Sequence, residues 1–393
     1  MRSDTTGQRL LIWGGLLAFL MIGWTGLLMP ALIRDIQRDL VIDDGQMGLA
    51  YGIFTGSFLV GCLFTGWAVS RTGRRPLLLT GLAALIAGAL AVLVPSWEVF
   101  LGSAALRGFG SGVIEVGVQG LFLAAFTGAR QGRAINSVHL MYSIGATIAP
   151  VATAVLLGLG LAWSGTMALT AVPLAVAFVL LALAPIPGRP ARTAGPAVRL
   201  HVTMPLVALA VAIALYVAAE VGVTSWLVRF LEEADLGLAA AALTLFWVAL
   251  AVSRLLTARF GHRVAPETVT VAGFVGAAIA LTAAVLAPSV ELAIVCFTAA
   301  GFCVGPVYAG IILVGGRVSR THKDAVTSVL ASAGVSGSVV YPPLMGAISL
   351  GAGLGIAMGG AAVLCLVGAV LVVLAARRLA PAEIPHTPVA EPA

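Results

Sequence analysis

Apolar residues run along this chain in blocks of about 20, the length that crosses a bilayer as a helix. Polar or Gly/Pro-rich punctuation separates the blocks. Twelve can be marked, near 10–32, 46–69, 76–95, 98–126, 135–158, 164–186, 204–231, 238–257, 267–287, 291–316, 324–349 and 353–376. The fourth and tenth are long enough to need tilt or extension beyond the lipid. The pattern predicts an all-α membrane protein of twelve transmembrane helices. The apolar run from Leu10 to about Ile33 is too long for a cleavable signal, and no small-residue cleavage site follows it.

Composition sharpens this picture. The 393 residues are 60% hydrophobic and 10% charged, with a mean hydropathy of +1.07. Soluble domains run nearer a quarter charged. The 47 glycines suit close helix contact in lipid, where small residues let backbones approach. The net charge of +6 is not gathered in a polar folded region, so nucleic acid is not an expected partner. Cys62, Cys296, Cys303 and Cys365 all fall inside apolar blocks without metal-ligand spacing. They read as small buried hydrophobes, with no disulfide framework and no metal site.

Charge placement sets an expected orientation. Of the 22 basic residues, 18 fall in one set of loops and tails: Arg2, Arg9, Arg71, Arg74, Arg75, Arg130, Arg133, Arg189, Arg192, Arg199, Arg254, Arg259, Arg263, Arg317, Arg320, Lys323, Arg377 and Arg378. The opposite loops hold Arg34, Arg38 and Arg229 beside Asp35, Asp39, Asp43, Asp44, Glu232, Glu233 and Asp235. The positive-inside rule then puts both termini in the cytoplasm of a multi-pass protein of the cell membrane.

Two cytoplasmic loops recur. "SRTGRR" (70–75) and "ARFGHR" (258–263) share Arg71/Arg259, Gly73/Gly261 and Arg75/Arg263 at an offset of 188. At "RQGRA" (130–134) and "THKDA" (321–325), Arg130 matches Arg320 and Arg133 matches Lys323 at an offset of 190. The chain is therefore expected to form two pseudo-symmetric halves of six helices, 1–186 and 204–378. A cytoplasmic linker at 187–203 joins them, and a disordered tail follows at 379–393. Such halves commonly hold a binding site between them.

At "GWAVSRTGRR" (66–75) the chain resembles the major facilitator superfamily, in its loop after the second helix. Gly66, Arg71, Gly73, Arg74 and Arg75 are in place. Ser70 stands where the family usually has an aspartate that ties the halves together, so that charge link lacks its acid here. Three further stretches resemble the fucose permease branch of sugar:proton symporters: "GSGVIEVGVQ" (110–119), "YVAAEVGVTSWLV" (216–228) and "GPVYAGIILVG" (305–315). Glu115 stands where that branch has its fourth-helix acid, whereas the first-helix acid is replaced by Gly26. The resemblance implies the major facilitator fold and a proton-coupled transporter, with loop residues 66–75 controlling the conformational change.

A charge at mid-bilayer costs at least about 2.5–3.5 kcal/mol, so each intramembrane ion needs a reason. Glu115 lies ~25 Å along its helix and Glu220 ~24 Å along its own. Either carboxylate could hold and release a proton as its surroundings change. The bland alternative for Glu115, weaker than the functional one, is a structural partner of Arg107; for Glu220 it is a gate or helix-fixing group bonded by Tyr216 one turn away. Arg107 fits either an ion pair or charge balance at the proton site. Gln119 shares a face with Glu115. His139 could titrate near neutral pH. Trp24, Tyr142, Trp226 and Tyr308 could stack on a flat cargo or serve as packing groups. The expected substrate contacts are Trp24, Gln119, His139, Tyr142, Tyr216 and Tyr308. "GPVYAG" and "SAGVSGSVVYPP" read as bend and close-packing segments of gating helices.

The expected function is secondary transport of a small polar solute, with a sugar-like cargo favoured and protons as the coupled ion. Proton-driven export of drug-like or metabolite cargo is the alternative, and a non-transporting sensor or scaffold is the alternative from another class. An enzyme is not expected, since the five histidines show no hydrolase or metal spacing. No P-loop is found and no cofactor is implied. The protein is read as a monomer in the lipid bilayer.

Overall fold

A computed structural model describes residues 5–127, 129–186, 202–232, 234–319 and 323–379. Fourteen α-helices occur among them, in chain order α1 (Thr5–Leu40), α2 (Asp44–Thr72), α3 (Arg74–Ala91), α4 (Trp97–Ala125), α5 (Ala129–Gly158), α6 (Trp163–Leu169), α7 (Ala171–Leu183), α8 (Met204–Phe230), α9 (Leu236–Phe260), α10 (Pro266–Val285), α11 (Val290–Val304), α12 (Val307–Gly315), α13 (Lys323–Ala352) and α14 (Leu354–Arg377). They form twelve segments long and apolar enough to cross a membrane. Each overlaps one block read from the sequence. Most of the linker 187–203 and nearly all of the tail 379–393 lie outside the described residues.

The sixth and tenth spans are each two helices. The sixth breaks at Thr170, between α6 and α7. The tenth breaks at Gly305–Pro306, where the Gly305 amide reaches only the Phe302 carbonyl and proline has no amide to donate. The bend expected from "GPVYAG" is therefore present.

Several charges placed in loops by hydropathy lie in helices instead. Arg34, Asp35, Arg38 and Asp39 belong to the last turns of α1, which runs for 36 residues. Two contacts support these turns: the Arg38 guanidinium meets Asp35 at 2.7 Å, an i,i+3 pair, and Trp163 of α6 donates to Asp39. Arg229 is likewise in α8, and Arg254 and Arg259 are in α9.

Helix starts follow side-chain chemistry. Asp43 caps α2 in a reciprocal capping box with Gln46. Ser96 and Ser289 cap α4 and α11 more simply, each accepting from one backbone amide (Val99 and Leu292), with a glutamate in the first turn. Between α2 and α3 the chain turns on Gly73, whose φ of 87° and ψ of 171° suit only glycine.

The chain divides into two compact units. The first comprises Met1–Pro196, Val221–Trp247 and Ser338–Met358, and so contains α1–α7 with one end each of α8 and α13, the first half of α9 and the start of α14. Its core joins Leu11, Phe19 and Ile22 of α1 to Leu78 and Leu82 of α3, Ile114 and Phe122 of α4, and Leu174 and Leu181 of α7. The second unit comprises Ala197–Glu220, Val248–Gly337 and Gly359–Ala393. Here Phe274 and Phe297 are fully buried, and Phe274 stands edge-on to the buried Tyr216. Large apolar side chains such as Leu63, Leu183 and Ile279 point outward, as lipid-facing residues do.

Candidate functional site

In the first unit, α4 carries polar residues every fourth position: Ser103, Arg107, Ser111, Glu115 and Gln119. This spacing stacks them along a slowly turning stripe. Gln119 Nε2 donates to Glu115 Oε1 at 2.7 Å, and both side chains are partly exposed. Higher on the helix, Arg107 is only 1% exposed. Its Nε donates to Ser103 Oγ at 3.1 Å, and Ser103 in turn donates to the Gly88 carbonyl at 2.7 Å. Both Arg107 Nη atoms lack a hydrogen-bond partner among the described residues. The Arg107 side chain leans toward the start of its helix, so the structure pairs it with Ser103 and not with Glu115.

Trp24, His139 and Tyr142 come together where α1 packs on α5. The His139 ring stands edge-on to Phe19, with centroids 5.8 Å apart. Tyr142 and Trp24 both pack against the core of this unit. In the last turn of α2, Arg71 donates to the Trp67 carbonyl at 2.9 Å and lies 4.2 Å above the Trp67 ring. Arg75 donates to the Ala184 carbonyl at the end of α7. Ser70 is half-buried, Gly66 opens on free space, and Arg74 starts α3.

One group in this unit gave no sign in the sequence. Asp44 opens α2 and is 9% exposed. It accepts from Gln37 of α1 at 2.8 Å, Ser349 of α13 at 2.6 Å and Arg229 of α8 at 3.2 Å. Arg229 also pairs with Glu232. Beside it, Arg34 donates to the carbonyls of Val228 at 3.0 Å, Ala234 at 2.8 Å and Leu231, capping the end of α8 with a cation. Deeper in, the Tyr51 hydroxyl donates to the Ser225 carbonyl at 2.7 Å, and Trp226 Nε1 to the Pro342 carbonyl at 3.0 Å. Trp226 is thus a packing group in this structure. These partners lie up to 305 residues apart, so no local motif could announce them.

In the second unit, Tyr216 is 1% exposed and its ring lies 6.1 Å from Tyr308 and 6.5 Å from Phe274. Its hydroxyl is in hydrogen-bonding contact with the Glu220 carboxylate, as the i,i+4 spacing predicts. Arg254 Nη2 donates to the same hydroxyl at 3.3 Å, and Arg254 Nε to the Gly305 carbonyl at 3.2 Å. Sequence reasoning counted Arg254 among loop charges and missed this contact. The signal available was its position six residues before the end of a spanning helix.

Among the described residues no group of three or more His, Cys, Asp or Glu side chains could hold a metal. All four cysteines are free. What the arrangement offers is two carboxylates within membrane helices, each hydrogen-bonded by a neutral side chain.

Residues 14–267 and 209–392 match the Major Facilitator Superfamily. The chain belongs to that superfamily and is a multi-pass membrane transporter. Its fold is shared with an auto-inhibited peptide transporter of the POT family, at 14% identity and a TM-score of 0.79 over 98% of this chain and 99% of that one. The D-xylose–proton symporter matches at 12% identity and a TM-score of 0.77, over 92% and 96%. A bacterial homolog of the human lysosomal transporter Spinster matches at 15% and 0.75, over 95% and 98%. By sequence, 82 residues are 34% identical to Multidrug resistance protein D of Escherichia coli (strain K12). That match spans 21% of this chain and 21% of that protein.

Proposed function

We propose that this protein is a proton-coupled secondary transporter that moves a small polar solute across the cell membrane by alternating access of two six-helix halves. Glu115 carries the proton in this account. The observation that supports it most is a carboxylate deep in α4 whose hydrogen-bond partner is the neutral Gln119, while the nearby Arg107 is engaged with Ser103. A carboxylate without a fixed cation can exchange its proton when water reaches it, whereas a tight ion pair holds its charge. Both termini are cytoplasmic and the Asp44 end of the first unit faces outward, as the distribution of basic residues favours. The Asp44 and Arg34 contacts then act as an outer latch. Trp24, Gln119, His139, Tyr142, Tyr216 and Tyr308 are the side chains proposed to meet cargo.

The resemblance of 110–119, 216–228 and 305–315 to the fucose permease branch favours a sugar-like cargo. The 82-residue identity to Multidrug resistance protein D favours a second reading, proton-driven export of drug-like or metabolite cargo. Purified protein in liposomes, given an imposed pH gradient and screened against sugars and cationic dyes, tests both. Uptake of a sugar that collapses with a protonophore supports symport, and gradient-driven movement of a dye against the proton supports export. Failure of every cargo to respond to the gradient would contradict proton coupling.

A further inference from the structure

An arginine near the end of a spanning helix ordinarily extends its charged head to the membrane surface. Arg254, in the penultimate turn of α9, is exposed yet also turns inward to bond within its unit. Side chains on a helix lean toward its start, which takes this guanidinium back along α9 and away from the helix end. There it bonds to the Tyr216 hydroxyl of α8 and to the Gly305 carbonyl at the break between α11 and α12. Gly305 itself is pressed on α9: a β-carbon there would fall 2.8 Å from the Leu250 carbonyl oxygen and 2.8 Å from Ser253 Cβ. The break in the tenth span is thus held against α9 by both packing and the Arg254 bond.

Tyr216 is the middle member of the chain, touching the Glu220 carboxylate on its own helix and the Arg254 guanidinium from α9. Tyr308 of α12 packs on its ring, and Phe274 of α10 closes the apolar side. We propose that Arg254 is a positioning residue that ties Glu220, through Tyr216, to the angle of the Gly305–Pro306 break. A change at Glu220 then alters how firmly the two parts of the tenth span are held. This rests on Glu220 belonging to the transport machinery, but the test needs no cargo.

Val295 on α11 and Leu313 on α12 are both 63% exposed and flank the break. Spin labels on cysteines at these two positions, with the four native cysteines replaced, would lie about 27 Å apart on an unbroken straight helix and closer on a bent one. Their distance distribution reads the break angle directly. Tyr216→Phe removes one hydroxyl at nearly constant volume, and Arg254→Gln removes the charge. Each should broaden or shift the distribution relative to the parent, and the double variant should do no more than either alone. Glu220→Gln should move it in the same direction. An unchanged distribution in Arg254→Gln, or additive effects in the double variant, would overturn the proposal. So would a lower melting temperature with the parent distribution retained, since that marks a merely structural role. Flux in liposomes is measured separately, so a protein that moves no cargo but shows the linked distance changes would contradict the transport reading alone.

Discussion

Glu220 could serve transport by carrying a proton or by favouring one conformation. Its contacts with Tyr216, and through Tyr216 with Arg254, fit the second role. A two-state equilibrium shifts tenfold for about 1.4 kcal/mol, close to the worth of one hydrogen bond to a charged group. Glu220→Gln is therefore expected to leave proton-driven accumulation intact and change its rate several-fold. Complete uncoupling by Glu220→Gln, with Glu115→Gln nearly silent, would exchange the two roles. At this scale the sequence was partly legible. An acid four residues from a tyrosine in an apolar block announces its own partner, because both sit on one helix. Arg254 could not be read in that way: its partners come from α8 and from the break in the tenth span, and which way an arginine leans depends on what those segments offer it.

Helices as units were the easiest to read, because transfer from water to lipid sets their length whatever they pack against. All twelve spans follow from that rule, and the Gly305–Pro306 break follows from proline's missing amide. The extra turns of α1 do not. They depend on the Asp35–Arg38 pair and on Asp39, whose carboxylate accepts from Trp163 Nε1 at 3.0 Å, a contact 124 residues away. Arg34 gives this level its clearest prediction. Its guanidinium satisfies three carbonyls at the end of α8, so Arg34→Gln should destabilise the protein by about 2–4 kcal/mol. Melting followed by dye attack on the buried Cys365 measures this, and an unchanged transition would refute the cap. Asp44→Asn is the companion test. It weakens the Arg229 contact, so a cysteine at Ser225, 5% exposed beside Tyr51, should react several-fold faster with an impermeant maleimide. Equal rates would show that Asp44 is no latch.

For the whole molecule, basic residues predict the orientation and the carboxylates predict the coupling. A cysteine placed within 187–200 or 318–323 should be labelled only from the cytoplasm, and one within 232–237 only from outside. Labelling of either cytoplasmic segment from outside in intact cells would reverse the orientation. The most direct test of proton coupling at Glu115 compares two fluxes in the same liposomes. One is accumulation of cargo against its gradient under an imposed pH difference, and the other is exchange of labelled for unlabelled cargo without one. Glu115→Gln mimics the protonated acid at nearly constant volume, so it should abolish accumulation while exchange persists. Accumulation by Glu115→Gln at the parent's level would contradict the account and place the proton on another group.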